Sequence, residues 1–199
     1  MNHDMGDSSR LVTIVREHFG SEYPSLVGAE IGVHRGETSA LLLREFPRLT
    51  LFMVDPWGQY EPGHPYRQSG DSCARLTYDQ QSRHMEAAEQ ATEFAASRRM
   101  LMRETSEQAA RQFAAARRPG QPRFDFAFVD GDHTLTAVRL DIASWWPLVR
   151  SGGLLCGHDI DHPRDRRGLW GVRLAVEEHE RATGVRFGVS GSCWWFVKS

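Results

Sequence analysis

The sequence predicts a single α/β domain built on a mostly parallel β-sheet, and three observations support this prediction. Apolar runs of strand length alternate with helix-like segments, the pattern of a parallel sheet with helices on both faces. Two short apolar runs near the end, joined by Ser190-Gly191, are typical of an antiparallel hairpin. The chain has 199 residues, of which 40% are hydrophobic, and this length suits one domain better than two. We therefore expect an N-terminal tail and helix over residues 1–25 and one domain over residues 26–199.

The first half of the chain alternates predicted helices and strands around one long loop. Ser8-Ser9 can cap a first helix, because serine hydroxyls accept hydrogen bonds from free backbone N–H groups. Long loops inside compact domains are often functional, so the aperiodic loop that precedes the third predicted helix is a candidate acceptor site. The predicted elements are a helix to about residue 18, strand 26–33, a helix from Glu37, strand 49–54, loop 57–71, helix 72–97, strand 99–103 and helix 106–115.

The second half continues the alternation and ends in the predicted hairpin. Ser151-Gly152-Gly153 is expected to break the helix that precedes the fifth strand. The predicted elements are a turn at 117–122, strand 124–129, helix 134–149, strand 154–156, a charged loop at 159–167, helix 169–183 and strands 185–189 and 192–197.

Composition limits the class of protein. The net charge is −2 and the pI is about 6.5, so there is no basic surface for nucleic acid or anionic membrane. The three cysteines, Cys73, Cys156 and Cys193, are odd in number and have no C-x-x-C spacing, which argues against a disulfide framework. Residues 1–9 are polar and acidic, unlike a signal peptide. We expect a cytoplasmic protein with neither nucleic-acid nor membrane partners.

The turn after the first strand indicates a nucleoside site. In doubly wound sheets ligands bind at the carboxyl ends of the strands, and Gly32 and Gly36 stand at such an end. Glycine lets the backbone approach a ligand that a Cβ would exclude. Asp55 ends the second strand, where an acid is suited to bind ribose hydroxyls. The alternative, that these are ordinary turn residues, explains each of them singly but not the combination.

The absence of a dinucleotide-binding motif in this turn indicates which kind of nucleoside binds there. Residues 33–35 separate the two glycines, so the dinucleotide fingerprint G-x-G-x-x-G is missing. Glu30 lies at the strand end, where it suits a cationic ligand. S-adenosylmethionine carries a ribose, an adenine and a sulfonium but no phosphate, so it fits this turn better than NAD.

Four segments together resemble class I S-adenosylmethionine-dependent methyltransferases, most closely a small bacterial branch with a V-D-G-x-H motif. The resemblance runs from about residue 26 to the last strand, and its specificity lies in the order and spacing of the segments. The segments are Glu30-Ile-Gly-Val-His-Arg-Gly-Glu-Thr-Ser39, Val54-Asp-Pro-Trp57, Phe128-Val-Asp-Gly-Asp-His133 and Gly152-Gly-Leu-Leu-Cys-Gly-His-Asp159.

The resemblance implies a seven-stranded Rossmann-like sheet of order 3-2-1-4-5-7-6 with an antiparallel last strand. It also implies that S-adenosylmethionine is the cofactor. The first motif departs from the family's commoner G-x-G-x-G, which weakens the assignment of particular backbone contacts. The resemblance, together with the positions beside its motifs, also indicates which residues bind the cofactor. Glu30, Gly32, Gly36 and Thr38 would lie near the methionine part and the ribose, and Asp55 would bind the ribose hydroxyls. Thr105 and Ser106 would lie near adenine, and Asp130 would lie between cofactor and acceptor.

The acceptor chemistry is expected where the fourth and fifth strands end, because these ends are neighbours in such a sheet. Methyl transfer to oxygen needs a base, and His133 is the first candidate, with His158 second. The related catechol and macrolide methyltransferases bind magnesium with acids at comparable places, so Asp130 and Asp159 are candidate Mg²⁺ ligands. Each residue also has a structural interpretation, such as a helix cap for Asp132.

A small-molecule O-methyltransferase is therefore the leading hypothesis, with three alternatives left open. These are an NAD-dependent oxidoreductase on a similar sheet, a non-catalytic relative, and an oxygenase-like relative. The acceptor is a small molecule, and a homodimer that completes the acceptor pocket is one option for the assembly. An aromatic wall above the site is expected from Tyr60, His64, Tyr66 and Trp170.

Overall fold

The computed structural model describes residues 5–20, 25–116 and 124–199, which form one seven-stranded sheet with helices on both faces. The strand order is β3-β2-β1-β4-β5-β7-β6. The strands are β1 Leu26–Ile31, β2 Leu49–Val54, β3 Arg99–Met102, β4 Phe124–Val129, β5 Val149–Gly157, β6 Phe187–Ser190 and β7 Cys193–Val197.

The pairing of the strands confirms the predicted fold class. All pairs among β1 to β5 are parallel, whereas β7 pairs antiparallel with both β5 and β6. This is the order that the resemblance implies, including the antiparallel terminal hairpin. The carboxyl ends of β1, β2, β4 and β5 consequently meet at one edge of the sheet.

Seven α-helices among the described residues cover the two faces, and each face has its own core of buried side chains. The first core joins α1, α2 and α3 to the sheet, and the second joins α4, α5 and α7 to its opposite face. Among the described residues, no helix combines the length and the apolar character that a membrane span requires. The helices are α1 Met5–Phe19, α2 Glu37–Glu45, α3 Tyr78–Ala91, α4 Ser106–Ala115, α5 Leu135–Trp145, α6 Pro163–Arg166 and α7 Val172–Thr183.

Two helix predictions in the first half were wrong in their limits. Helix α1 begins at Met5, and the Ser8 side chain is buried and bonded to Thr38 Oγ1 at 2.8 Å instead of capping the helix. The predicted helix 72–97 is divided, because Thr77 forms a capping box with Gln80 and starts a new helix there. Short 3₁₀ helices precede and follow α3 over Cys73–Arg75 and Glu93–Arg98.

The elements of the second half also differ in length from the prediction. Helix α5 ends at Trp145, since Pro147 has no N–H and a 3₁₀ turn over Trp146–Leu148 follows. Gly152 and Gly153 lie inside β5, where the register with β4 shifts, so these glycines mark an irregular strand.

The remaining differences concern the loop after β5 and the terminal elements. Helix α6 falls in the predicted charged loop, α7 begins at Val172 rather than at 169, and the hairpin strands begin one or two residues later than predicted. The turn predicted at 117–122 lies outside the described residues.

Candidate active site

One cleft of about 700 Å³ opens at the carboxyl ends of β1, β2 and β4. Its volume falls in the usual range of small-molecule sites, roughly 300–1,000 Å³. Gly36, His158 and Asp159 do not line it, although His158 and Asp159 lie directly behind its wall. The sequence-predicted residues that line the cleft are Glu30, Gly32, Thr38, Asp55, Thr105, Ser106, Asp130 and His133.

The Asp55 carboxylate holds the glycine turn in place. Its Oδ2 accepts the backbone N–H groups of Val33 and His34, each at 3.0 Å, and its Oδ1 accepts that of Trp57 at 2.7 Å. Burial raises the pKa of Asp55, although the backbone N–H bonds oppose the rise. Asp55 therefore organises the wall of the cleft, and its side chain keeps one further lone-pair position for a ligand hydroxyl.

The two glycines of the turn have different neighbours. Gly32 has a φ of 89°, and a Cβ there would lie 2.2 Å from the backbone oxygen of Asp130. Gly36 has a φ of 79°, and a Cβ there would lie 2.8 Å from Ala88 Cα in α3. Gly32 lets the end of β1 approach the end of β4, whereas Gly36 serves the contact between the turn and α3.

The buried acid at the end of β1 is held from the following helix. Glu30 is 1% exposed, and the Ser39 hydroxyl of α2 donates a short hydrogen bond to its Oε2. Thr38, one residue earlier on α2, contacts Ser8 of α1. The start of α2 thereby connects α1 to the floor of the cleft.

The far end of the cleft is formed by the start of α4 and one face of α5. Thr105 caps α4 through a reciprocal pair of hydrogen bonds with Gln108. Leu140 and Asp141 of α5 also line the cleft, and Asp141 is hydrogen-bonded to Ser106. Thr105 and Ser106 were predicted from the sequence, whereas Asp141, which lies on the apolar stripe of α5, was not.

His133 is the centre of the polar cluster at the ends of β4 and β5. Its Nε2 lies 3.1 Å from Asp159 Oδ2 and 3.4 Å from Asp130 Oδ1, and its Nδ1 lies 3.3 Å from Asp71 Oδ2. Burial lowers the pKa of His133, but the hydrogen bonds to Asp130, Asp159 and Asp71 outweigh burial and hold the pKa well above 6.5. The acidic neighbours of His133 therefore favour its imidazolium form, in which both ring nitrogens donate hydrogen bonds.

The acids of the cluster respond in the opposite direction. Burial alone would raise the pKa of Asp159, but hydrogen bonds from His133 and His158 hold this pKa far below its usual value. The same balance of burial against the His133 hydrogen bond lowers the pKa of Asp71. The sequence analysis missed Asp71, whose only signal was its place at the end of the long loop 57–71.

His158 supports the cluster from behind the cleft. Its Nδ1 lies 3.2 Å from Asp159 Oδ2, and its Nε2 shares a hydrogen bond of 2.8 Å with the Ser192 hydroxyl. Both ring nitrogens thus face protein groups, and no side of the ring lines the cleft. The arrangement suits His158 to position Asp159 better than to take a proton from an acceptor.

Backbone conformation at the strand ends is unusual. His34, Trp57 and Asp159 have positive φ values of 54°, 36° and 62°, and they are the only non-glycine residues with this feature in the described part of the chain. Positive φ costs free energy in residues with a Cβ, and such residues often cluster at functional sites. The strained positions follow β1, β2 and β5, which is the edge where the cleft opens.

The predicted aromatic wall divides into two parts. Tyr60, His64 and Tyr66 line the cleft, with Tyr60 4.7 Å from His64 and 5.0 Å from Tyr66 between ring centroids. Trp170 lies instead behind His133 and stacks on its ring. Asp132 lines the cleft and also caps the turn before α5, where its Oδ1 accepts the Thr134 N–H at 2.8 Å.

Comparison with known proteins identifies the class of this enzyme. The model of a family described as "Methyltransferase domain" matches residues 29–160, which include the glycine turn, Asp55 and the His133 cluster. The chain belongs to this methyltransferase family, and it is an S-adenosylmethionine-dependent methyltransferase. A search of curated proteins gives no significant match.

Solved structures share the fold at low sequence identity. A calicheamicin methyltransferase aligns over 99% of this chain and 80% of its own, with 14% identity and a TM-score of 0.69. An O-methyltransferase from Bacillus cereus in complex with SAH aligns over 100% and 84%, with 16% identity and a TM-score of 0.69. A mycinamycin-pathway methyltransferase in complex with Mg, SAH and mycinamycin VI aligns over 98% and 54%, with 18% identity and a TM-score of 0.56. These likenesses bear on the fold, and the family match favours methyl transfer over the NAD-dependent alternative.

Proposed function

We propose that the enzyme methylates a hydroxyl oxygen of a small-molecule acceptor, with His133 as the base. The observation that carries the proposal is the position of His133 Nε2, which faces Asp130 and Asp159 at 3.4 and 3.1 Å on the wall of the cleft. His133 ends the V-D-G-x-H motif, and Asp71 holds its other nitrogen at 3.3 Å. A histidine whose ring lines a cleft and whose Nδ1 is held by a carboxylate is suited to general base catalysis.

Different residues of the cleft have different roles in the reaction. S-adenosylmethionine supplies the methyl group, whose bond to sulfur breaks as the bond to the acceptor oxygen forms, leaving a neutral thioether. His133 Nε2 receives the hydroxyl proton, and Asp71 stabilises the resulting imidazolium at Nδ1. Asp55 and the Gly32 turn hold the nucleoside, and Tyr60 and Tyr66 contact the acceptor, which keeps the reactants aligned.

The cluster also fits a magnesium ion. Asp130 and Asp159 contribute one carboxylate oxygen each, and with His133 Nε2 these ligand atoms all lie within 4.8 Å of one another. Carboxylate oxygens are the ligands that Mg²⁺ prefers, and it commonly binds through one or two of them. We propose that Asp130 and Asp159 hold Mg²⁺, which would supply positive charge next to the acceptor oxygen. Carboxylates that coordinate a cation hold the proton on His133 less strongly, which favours the neutral base.

The charge of the cleft indicates the kind of acceptor. Its described wall carries nine acidic residues and no lysine or arginine. An anionic acceptor would meet uncompensated repulsion there, since phosphate and carboxylate groups are usually bound by arginine or lysine. We therefore propose a neutral or cationic hydroxyl compound. We also propose a cytoplasmic enzyme, because the three cysteines are free thiols, as a reducing compartment maintains.

The first experiment measures binding and then turnover. Thermal stability and calorimetry with S-adenosylmethionine, S-adenosylhomocysteine and NAD, each with Mg²⁺ or with EDTA, test the cofactor and the metal. A ligand at 100 times its Kd should add about 2.7 kcal/mol of stability. A panel of neutral, cationic and phosphorylated hydroxyl compounds is then assayed for formation of S-adenosylhomocysteine.

The outcomes separate the hypotheses. We expect binding of the two sulfur cofactors, Mg²⁺-dependent turnover of an acceptor without phosphate, and loss of that turnover in His133→Ala with cofactor binding intact. His18→Ala, which changes a histidine on α1, serves as the matched control. Full turnover in His133→Ala would remove His133 as the base, and cofactor binding without turnover across the panel would favour the non-catalytic alternative.

A further inference from the structure

Helix α5 carries an acidic residue at a position that its pattern assigns to the core. The buried residues of the helix are Val138, Asp141, Ile142 and Trp145, which recur at the spacing of one helix face. Asp141 is only 6% exposed and lies among apolar side chains, although it is an acid. Carboxylates are rarely buried without a partner, because removing them from water is costly. The burial of Asp141 raises its pKa to about 7.

The protein itself offers Asp141 little compensation. Trp145 Nε1 donates to Ser106 Oγ at 2.9 Å, which leaves the Ser106 hydroxyl proton for its hydrogen bond to Asp141. This series of hydrogen bonds fixes the orientation of the carboxylate, but it occupies only one of the roughly four lone-pair positions. Helix α5 therefore presents an oriented carboxylate that can accept further hydrogen bonds.

The Asp141 carboxylate lies on the wall of the cleft, where a ligand can reach it. Ser106, which is hydrogen-bonded to Asp141, and Thr105 line the cleft at the start of α4. Ala137 and Leu140 of α5 line it as well and provide an apolar surface for the face of a flat ring. A ring that lies on this surface would place its edge against Asp141.

We propose that Asp141 accepts a hydrogen bond from the 6-amino group of the cofactor's adenine ring and so determines selectivity for that base. An amino group is a donor, and a hydrogen bond from it favours the ionised form of a buried carboxylate, which accepts more strongly than a neutral group. A buried acid kept for this contact explains its place on the core face of α5. The proposal concerns the cofactor and is independent of the acceptor and the metal.

Another acid at this end of the cleft is a competing candidate. Glu107 also lines the cleft, but its carboxylate is 54% exposed and is paired with Arg111 one turn along α4. Hydrogen bonds in water contribute less to selectivity than those in a buried site, because water replaces them. Glu107 therefore provides the matched control for Asp141.

The experiment compares the binding of two ligands by the wild type and by variants, measured by calorimetry on the full chain. The two ligands are S-adenosylhomocysteine and its purine analogue, which has hydrogen in place of the 6-amino group. The wild type should bind the adenine ligand about 10- to 100-fold more tightly, the range for a hydrogen bond to a charged group. In Asp141→Leu the preference should fall within about threefold, whereas Glu107→Gln should retain it.

The melting temperature separates this role from a structural one. Asp141→Leu should melt no lower than the wild type, because an apolar residue replaces a buried acid. If this variant does not fold, Asp141→Asn keeps the shape and should show a smaller preference than the wild type, since a neutral oxygen accepts more weakly.

Several results would overturn the proposal. These are equal binding of the two ligands by the wild type, an undiminished preference in Asp141→Leu or Asp141→Asn, and a preference abolished by Glu107→Gln instead. Failure of the wild type to bind either ligand would contradict the cofactor assignment as well, and it is distinguishable because it precedes any comparison of variants.

Discussion

The indole ring of Trp170 stacks on the imidazole of His133, with ring centroids 4.1 Å apart and planes 16° from parallel. Trp170 also stacks on His162, with ring centroids 4.3 Å apart, and its Nε1 donates to the backbone oxygen of Ser69 at 3.2 Å. One side chain thus joins the segment after β5 to the loop after β2 and fixes the plane of the imidazole. The orientation of the proposed base depends on contacts that neither β4 nor β5 makes.

We predict that Trp170→Leu lowers turnover about 10- to 100-fold, because loss of stacking lets the His133 ring rotate away from its productive position. Trp170→Phe keeps an aromatic face but loses the bond to Ser69, so it should retain most of the activity. The measurement is kcat with the acceptor found in the panel, together with the Kd of S-adenosylhomocysteine, which should not change. Equal loss in both variants would assign the effect to the Ser69 bond instead.

The second prediction concerns Asp71, which holds the Nδ1 side of His133 at 3.3 Å. Asp71→Asn keeps the shape but removes the charge that stabilises the imidazolium, so kcat should fall more than about tenfold with cofactor binding preserved. Asp132→Asn is the matched control, because Asp132 lines the same cleft but its Oδ1 accepts the backbone N–H of Thr134. A larger loss in Asp132→Asn than in Asp71→Asn would contradict the role of Asp71.

Much of the fold could be predicted from the sequence, because it depends on patterns that are local in the chain. Alternating apolar runs and helix-like segments predicted the parallel sheet and its terminal hairpin. Element limits were less predictable where tertiary contacts decide them. The burial of Ser8 against Thr38 removes it from capping α1, and the pairing of β5 with β4 and β7 keeps Gly152 and Gly153 inside a strand.

The candidate site was predictable only where its residues follow strands directly. Glu30, Asp55 and Asp130 lie at the end of a strand or immediately after it, and His133 follows β4 by four residues, so topology brings them together. Asp71 reaches the cluster from a loop 62 residues away from His133 in sequence, and no spacing rule predicts such a contact. Asp141 was missed because an acid on the core face of a helix resembles an irregularity in an apolar pattern.

The third prediction tests the close approach of β1 to β4. Gly32→Ala would place a Cβ 2.2 Å from the Asp130 backbone oxygen at a φ of 89°, and should destabilise the protein by about 2 kcal/mol or more. Gly20→Ala is the matched control, because Gly20 has a similar φ of 86° but nothing within 4 Å of its added Cβ. This control should lose only about 1 kcal/mol. Equal losses in urea unfolding would mean that φ, and not the strand approach, sets the cost.

The last prediction uses the titration of Asp141, whose pKa burial raises to about 7 in the folded protein. The unfolded chain has an ordinary aspartate pKa near 3.8, so between about pH 4 and 7 the folded state binds the extra proton. Stability therefore decreases as pH rises through this window, and the loss is complete above the folded pKa. Three pKa units correspond to an upper limit of about 4 kcal/mol, which nearby groups modify, since Asp132 raises the pKa of Asp141 and His133 lowers it.

Asp141→Asn removes this titration while it keeps the size of the side chain. Its free energy of unfolding, measured in urea without ligand or metal, should change less between pH 4 and 7 than that of the wild type. The difference between the two proteins should grow steadily with pH and favour the variant at pH 7. We expect the two titrations to differ because Asp141 is buried among Val138, Ile142 and Trp145. A constant difference across the window would contradict this, since it would show that the carboxyl group titrates alike in the folded and unfolded states.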